Sequence, residues 1–498
     1  MMLSLALLGC FVASVFGVGW DVETDLDRYV HFDDGYFSYE ELVEHRYDNL
    51  SATVYVYNMT SQKWLDETQV DKSIWWHMVG IIIPDEINDL ERAWVFTEGG
   101  SNRESTTPPD FNDPFNILGA TLASNVGMIG GYILQNPNSP IVFADDPSQR
   151  SRSEDRLIAW TWRSFLNSSD PNPEVIARMP MTKTHKRGLD IVAEVAKEKV
   201  PETNIDKFIV TGASKRGWTA LSVAAVDQRV EMCLPIVFTL MNMKENMVRH
   251  HQAMDGTWSW ALEPYYDEDI TKELTNPRLE ALFEVEDMLC GYYVRIDFKE
   301  RLTMPKIFIL ATGDEFFYPQ DLDTYWDDIP DPKYIMMNPN AQHIVFPHYV
   351  RILETMQGAI LSLIRDEPLP SVSWDKEETE TGAFIEAWMD PEPEEIRCSR
   401  AETLNTTRRD FRLLQGFPEP SLQPVWWNWT DVQEVANGHY LYEEENLEDG
   451  RWTGFFMQGR WTGPDENRMF LTTSVQTTPD DFPGEPCFDA DSCYGELA

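Results

Sequence analysis

Lys207-Phe208-Ile209-Val210-Thr211-Gly212-Ala213-Ser214-Lys215-Arg216-Gly217-Trp218 runs directly into Thr219-Ala220-Leu221-Ser222-Val223-Ala224-Ala225. The first part carries β-branched and aromatic residues, the last is rich in good helix formers, and a Gly-x-Ser turn joins them. The order reads as strand, tight turn, helix. A serine on such a turn is lifted out of the sheet, and the glycines around it leave room for the neighbouring strand and helix. Its hydroxyl is then exposed, and the unpaired N–H groups at the start of the helix face whatever it attacks. Ser214 is therefore a candidate nucleophile. The pattern departs from G-x-S-x-G in one place: the second glycine, Gly217, follows the serine by three residues, and Arg216 takes its usual position. A serine here would also serve as a plain helix N-cap, so the choice rests on the rest of the chain.

Two further strands end in the side chains that a serine nucleophile needs. Pro305-Lys306-Ile307-Phe308-Ile309-Leu310-Ala311-Thr312 runs into Gly313-Asp314-Glu315-Phe316-Phe317, and Lys333-Tyr334-Ile335-Met336-Met337 runs into Asn338-Pro339-Asn340-Ala341-Gln342-His343. Both acid and histidine lie just past the C-terminal end of a strand, where open α/β sheets place their sites. The order Ser214, Asp314, His343 is that of α/β-hydrolases. A serine hydroxyl needs a neutral imidazole to take its proton and a carboxylate to fix the imidazole tautomer. Glu315 competes with Asp314 and His348 with His343; His77 and the pair His250-His251 have no such context. Upstream, Arg92-Ala93-Trp94-Val95-Phe96-Thr97 runs into Glu98-Gly99-Gly100-Ser101-Asn102. A glycine pair there is where such enzymes complete an oxyanion hole, so Gly99, Gly100 and Ser101 are expected to join the N–H of Lys215.

Strands alternating with helices across this region predict an α/β class with a mostly parallel sheet covered on both faces. Ala52–Met59 and Trp75–Pro84 read as an antiparallel entry pair. Residues 240–300, rich in methionine and aromatics (Met241, Met247, Trp258, Trp260, Tyr265, Tyr266), read as a helical, lid-like insertion. After the linker Asp366-Glu367-Pro368-Leu369-Pro370, short strands at 384–388, 411–414, 452–457 and 470–475 predict a small β-sandwich-like module. The expected organisation is an α/β-hydrolase fold over residues 20–365, a β-rich module over 366–477 and a loose acidic tail over 478–498.

Composition narrows the setting. Forty basic against eighty-four acidic side chains in 498 residues give a formal charge of −44, which repels nucleic acid and anionic membranes and suits an extracellular life. The apolar run Met2–Val18 has the length of a signal-peptide core and is short for a membrane span, so residues 1–19 read as a signal peptide. The sequons at Asn49, Asn58, Asn167, Asn405 and Asn428 point the same way. With Cys10 removed, five cysteines remain. Cys487 and Cys493 are spaced to clip a loop, Cys233 could bridge to Cys290, and Cys398 is left over. No cysteine or histidine cluster has zinc spacing, and no metal or cofactor is expected.

The runs Gly212-Ala213-Ser214-Lys215-Arg216-Gly217-Trp218, Thr97-Glu98-Gly99-Gly100-Ser101-Asn102, Gly313-Asp314-Glu315-Phe316-Phe317 and Asn338-Pro339-Asn340-Ala341-Gln342-His343 together resemble the PhoPQ-activated pathogenicity-related protein family, from about Tyr29 to about Val475. The resemblance implies an α/β-hydrolase core, a β-rich C-terminal module and, as in secreted eukaryotic members, a signal that restrains proliferation. Glucuronoyl-esterase-type hydrolases offer a looser analogy in the basic residue after the serine and the delayed glycine, here Lys215 and Gly217. Two readings follow. One is a secreted serine hydrolase acting on the ester or peptide bond of a small-molecule or peptide substrate. The other is a secreted signalling protein that binds a cell-surface receptor on a hydrolase scaffold.

Overall fold

A computed structural model describes residues 23–102, 109–288 and 298–498. Helix α1 (Asp25–His31) leads into three antiparallel strands, β1 (Ser38–Tyr47), β2 (Ala52–Lys63) and β3 (Ile74–Pro84). The alternation read in Ala52–Met59 becomes a strand whose residues turn in and out by turns. Then follow β4 (Asp89–Thr97), α2 (Pro114–Val126), β5 (Met128–Ile133), α3 (Asp155–Asn167), α4 (Arg178–Lys199), β6 (Lys207–Ala213), α5 (Lys215–Val226) and β7 (Val230–Ile236). The insertion carries α6 (Met243–Ala253), α7 (Glu263–Asp267) and α8 (Pro277–Glu286), and the core closes with β8 (Lys306–Ala311), β9 (Lys333–Asn338) and α9 (Tyr349–Ile364).

The strands lie in the order β1-β2-β3-β5-β4-β6-β7-β8-β9, parallel from β5 onward. This is the α/β-hydrolase arrangement, with the crossover at β4 and β5. Side chains alternate between the two faces. Val95, Val210 and Phe308 point toward α4 and α5, whereas Trp94, Ile209, Ile307 and Met336 point toward α2 and α9. Because both faces are covered, β5 and β8 are buried along their whole length.

The C-terminal segment adds β10 (Ser371–Glu378), β11 (Gly382–Asp390), β12 (Glu395–Glu402), β13 (Leu414–Gln415), β14 (Ser421–Leu422), β15 (Asn428–Thr430), β16 (Gln433–Ala436), β17 (His439–Glu445), β18 (Thr453–Thr462), β19 (Arg468–Thr472) and β20 (Gln476–Thr478). One layer is the sheet β10-β11-β17-β16. The facing layer, β19-β18-β12-β15, is not separate from the core: Thr472 of β19 pairs with Ile335 of β9, so the central sheet continues into the module. Of the stretch 411–414, only Leu414 lies in a strand.

Residues 478–498, read from sequence as loose, are instead tied to the insertion. A disulfide joins Cys487 to Cys493 around helix α10 (Ala490–Tyr494). The Trp258 indole N–H donates to the Cys493 carbonyl at 3.0 Å, and the Ala498 N–H donates to the Trp258 carbonyl at 2.7 Å. Arg412 donates to the Ala498 carbonyl at 2.9 Å. Cys233 is buried with a free thiol, which burial pushes up in pKa, and Cys290 lies outside the described residues. Cys398 is also buried and free. Among the described residues, no helix is long and apolar enough to cross a membrane, and no group of three His, Cys, Asp or Glu is placed to hold a metal.

Candidate active site

Ser214 sits between β6 and α5 with φ 60° and ψ −128°, a left-handed conformation that a non-glycine residue adopts only under constraint. Its N–H donates to the Ile236 carbonyl at 2.8 Å, pinning the turn to β7. A Cβ on Gly212 would come within 2.6 Å of the Arg216 carbonyl oxygen, and one on Gly217 within 3.0 Å of the Gly212 and Ile236 carbonyls. The displaced glycine is thus the one that faces the sheet, and Arg216 is free to point elsewhere.

His343 reaches Ser214 Oγ through Nε2 at 2.7 Å, and its Nδ1 lies 2.9 and 2.8 Å from the two carboxylate oxygens of Asp314. Asp314 is buried and also accepts the N–H groups of Phe316 and Phe317 at 2.8 and 3.2 Å. The Phe316 and Phe317 rings flank the imidazole at 4.5 and 5.5 Å. Glu315 turns the other way and accepts the backbone N–H of His343 at 3.1 Å, so it holds the loop rather than the ring. His348 is turned toward the Pro339 carbonyl at 2.7 Å. An Nδ1–H donated to Asp314 leaves the Nε2 lone pair facing the serine hydroxyl.

The two basic residues after the serine form a buried ion cluster. Lys215 pairs with Asp155 at 2.9 Å and Glu154 at 3.3 Å, and Arg216 pairs with Glu154 and donates to the Asn136 carbonyl at 2.6 Å. Burial opposes the charge on Glu154, but Arg216 and Lys215 outweigh it and hold its carboxyl below the ordinary range. Arg216 also explains Gly99: a Cβ there would lie 2.4 Å from the guanidinium. Of the loop predicted to complete the oxyanion hole, Gly100 and Ser101 are exposed, the Gly99 N–H is engaged by the Glu98 carboxylate at 2.8 Å, and it is Glu98 that lines the cavity beside Ser214. Lys215 does line that cavity, and the first N–H groups of α5 have no acceptor inside their own helix.

Beneath the elbow, Arg178 of α4 is fully buried. It donates to the Lys215 carbonyl at 2.7 Å and Thr219 Oγ1 at 2.8 Å, stacks over Trp218 at 3.9 Å and pairs with Glu286 of α8 at 3.1 Å. Glu286 in turn accepts the Trp162 indole N–H at 2.6 Å. This pair joins the insertion to the elbow across more than a hundred residues, and no local pattern in the sequence points to it.

His77 supports the same region from β3. Its Nδ1 approaches the carbonyls of Leu134 and Gln135 at 3.3 and 3.2 Å, next to the Asn136 carbonyl that receives Arg216, and its Nε2 faces Ser61 and Thr184 hydroxyls at 3.0 and 3.2 Å. Burial lowers its pKa from 6.5 to about 4. A depressed folded-state value gives stability that is complete above pH 6.5 and lost as the pH falls toward 4. Wild type is expected to lose on the order of 3 kcal/mol over that interval that His77→Gln does not lose. Urea unfolding of both proteins at pH 7, 5.5 and 4 checks this; parallel pH curves would refute it.

Ser214 lies between two cavities. One of about 60 Å³ is lined by Trp162, Trp218, Phe238, Trp258 and Tyr265, partly from the insertion. The other, of about 500 Å³, opens between α2 and α9 and also touches His343.

Sheet order, elbow and helical insertion define the class: an α/β-hydrolase scaffold. The chain belongs to the PhoPQ-activated pathogenicity-related protein family, whose model matches residues 26–412. It is 30% identical over 506 aligned positions to Autocrine proliferation repressor protein A of Dictyostelium discoideum, spanning 99% of this chain and 96% of that one. Among solved structures it is similar to an acetyl xylan esterase from Paenibacillus sp. R4 (14% identity, 70% of this chain and 96% of that one, TM-score 0.45) and to the glucuronoyl esterase from Solibacter usitatus (11% identity, 66% and 86%, TM-score 0.39).

Proposed function

We propose that this chain is a secreted serine hydrolase that cleaves an ester or peptide bond at Ser214. The observation that carries the reading is the contact of Ser214 Oγ with His343 Nε2 at 2.7 Å, backed by Asp314 at 2.8 Å on the far side of the ring. In this mechanism Oγ bonds to the substrate carbonyl carbon while its proton passes to Nε2, and Asp314 steadies the imidazolium. The Lys215 N–H at the start of α5 stabilises the oxyanion, with a second donor from the Gly99–Ser101 loop once Gly99 is released by Glu98. The imidazolium protonates the leaving group, the C–O or C–N bond breaks, and water activated by His343 then hydrolyses the acyl-serine.

A fluorophosphonate probe is expected to label the purified protein, with labelling abolished in Ser214→Ala and in His343→Ala. A folded wild type that takes no label would sink the catalytic reading. The second reading, a secreted regulator that restrains proliferation through a cell-surface receptor, draws on the relative named as an autocrine proliferation repressor. Unchanged growth restraint by a folded Ser214→Ala protein applied to cells would favour it over catalysis.

Secretion also makes a claim about carbohydrate. Asn49, Asn167, Asn405 and Asn428 are exposed, whereas Asn58 lies within β2 with its side-chain oxygen buried. Glycopeptide mapping is expected to find carbohydrate at the first four and none at Asn58; an occupied Asn58 would contradict the structure.

A further inference from the structure

We propose that the larger cavity receives the hydrocarbon chain of a long-chain ester, a reading that rests on Ser214 being the nucleophile. The cavity of about 500 Å³ starts at Ser214 and His343, so a chain lying in it belongs to a molecule whose carbonyl is at the reacting serine. Away from the serine it is walled by Trp94, Leu122 and Tyr132 on one side and Ile352, Leu353 and Met356 on the other. Of the charged side chains that line it, Asp155, Lys215 and Arg216 are tied into the ion cluster beside Ser214, and Glu98 accepts the Gly99 N–H at the same end. At its mouth Phe115 is 53% exposed and Ile344 59%, and Phe115 packs edge-on against Tyr349. An apolar path therefore runs from solvent to the nucleophile.

The dimensions set the class. At about 30 Å³ for a water-sized group, 500 Å³ holds on the order of ten to sixteen methylenes. An acetyl group would leave most of the cavity unfilled. The companion cavity of about 60 Å³ has room for roughly two such groups, so it is too small for the chain. The chain can belong to the acyl part or to the alcohol part of the ester, since both depart from the same carbonyl.

The test uses the full-length protein and two substrate series at concentrations below micelle formation: p-nitrophenyl esters from acetate to hexadecanoate, and alkyl acetates from methyl to dodecyl followed by acid release. In one series kcat/KM is expected to rise roughly fourfold per methylene and level off near ten carbons or beyond. The series that rises assigns the chain to the acyl or the alcohol side. Leu353→Trp narrows the cavity and is expected to lower the twelve-carbon to two-carbon ratio of that series at least tenfold. Cleavage of acetate with no rise in either series overturns the proposal and leaves the nucleophile in place. No cleavage together with no fluorophosphonate labelling overturns both.

Discussion

Asp314→Asn is expected to lower kcat/KM on any cleaved ester by about 10⁴, because an amide presents the imidazole with the wrong hydrogen-bonding partner and no longer steadies its cation. The neighbouring Glu315→Gln is expected to cost less than tenfold, since its oxygen accepts a backbone N–H and an amide oxygen can do the same. The two carboxyls are adjacent in sequence and both buried, so general damage to the loop would affect them alike. Steady-state kinetics of both variants, with circular dichroism to confirm folding, separates the roles. Equal losses would mean that the acid has been misassigned.

Glu286→Ala is expected to destabilise the protein by about 3–5 kcal/mol, the usual cost of leaving one member of a buried ion pair without its partner. Burial pushes both Glu286 and Arg178 toward their neutral forms, and the charge of each opposes that shift in the other. Removing the carboxylate strands the guanidinium under the elbow and also frees the Trp162 indole N–H. The double variant Arg178→Met, Glu286→Leu is expected to recover part of the loss, since replacing both charges with apolar groups removes the burial penalty itself. Chemical denaturation of wild type, Arg178→Met, Glu286→Leu and the double variant forms the cycle that measures the coupling. A single variant as stable as wild type would show that the pair contributes little.

Local patterns in the sequence were enough for the parts of the site that are local. Strand, turn and helix around Ser214, and the two strand ends carrying Asp314 and His343, announce themselves through β-branched runs that end in polar turns. The choice between Asp314 and Glu315 was open because one residue decides which side of the turn a carboxyl faces, and only the finished loop settles that. Arg216 was visible as an oddity in the glycine pattern. Its purpose was not, because its partners Gly99, Asn136 and Glu154 are far away in sequence. The Gly99–Ser101 loop does follow β4, yet the hydrogen bond from Gly99 to Glu98 that occupies its first N–H has no signature in composition or spacing. The large cavity was equally hidden, because the space between α2 and α9 depends on how those helices sit against the sheet. The terminal segment was misread for a related reason. Its acid and proline content suggests loose chain, but the disulfide and the backbone pairing with Trp258 supply the order that composition does not.

The junction between Thr472 and Ile335 makes the two halves of the molecule mutually dependent. A chain cut after α9 would leave β9 as a bare rim, with the backbone groups of Ile335 and Met337 that Thr472 contacts open to solvent on a stretch that is otherwise apolar. Such an unprotected strand recruits another copy of itself, and the truncated protein would gather into aggregates before it could be assayed. Through β19, the C-terminal module therefore covers an edge of the hydrolase-like half that would otherwise be open.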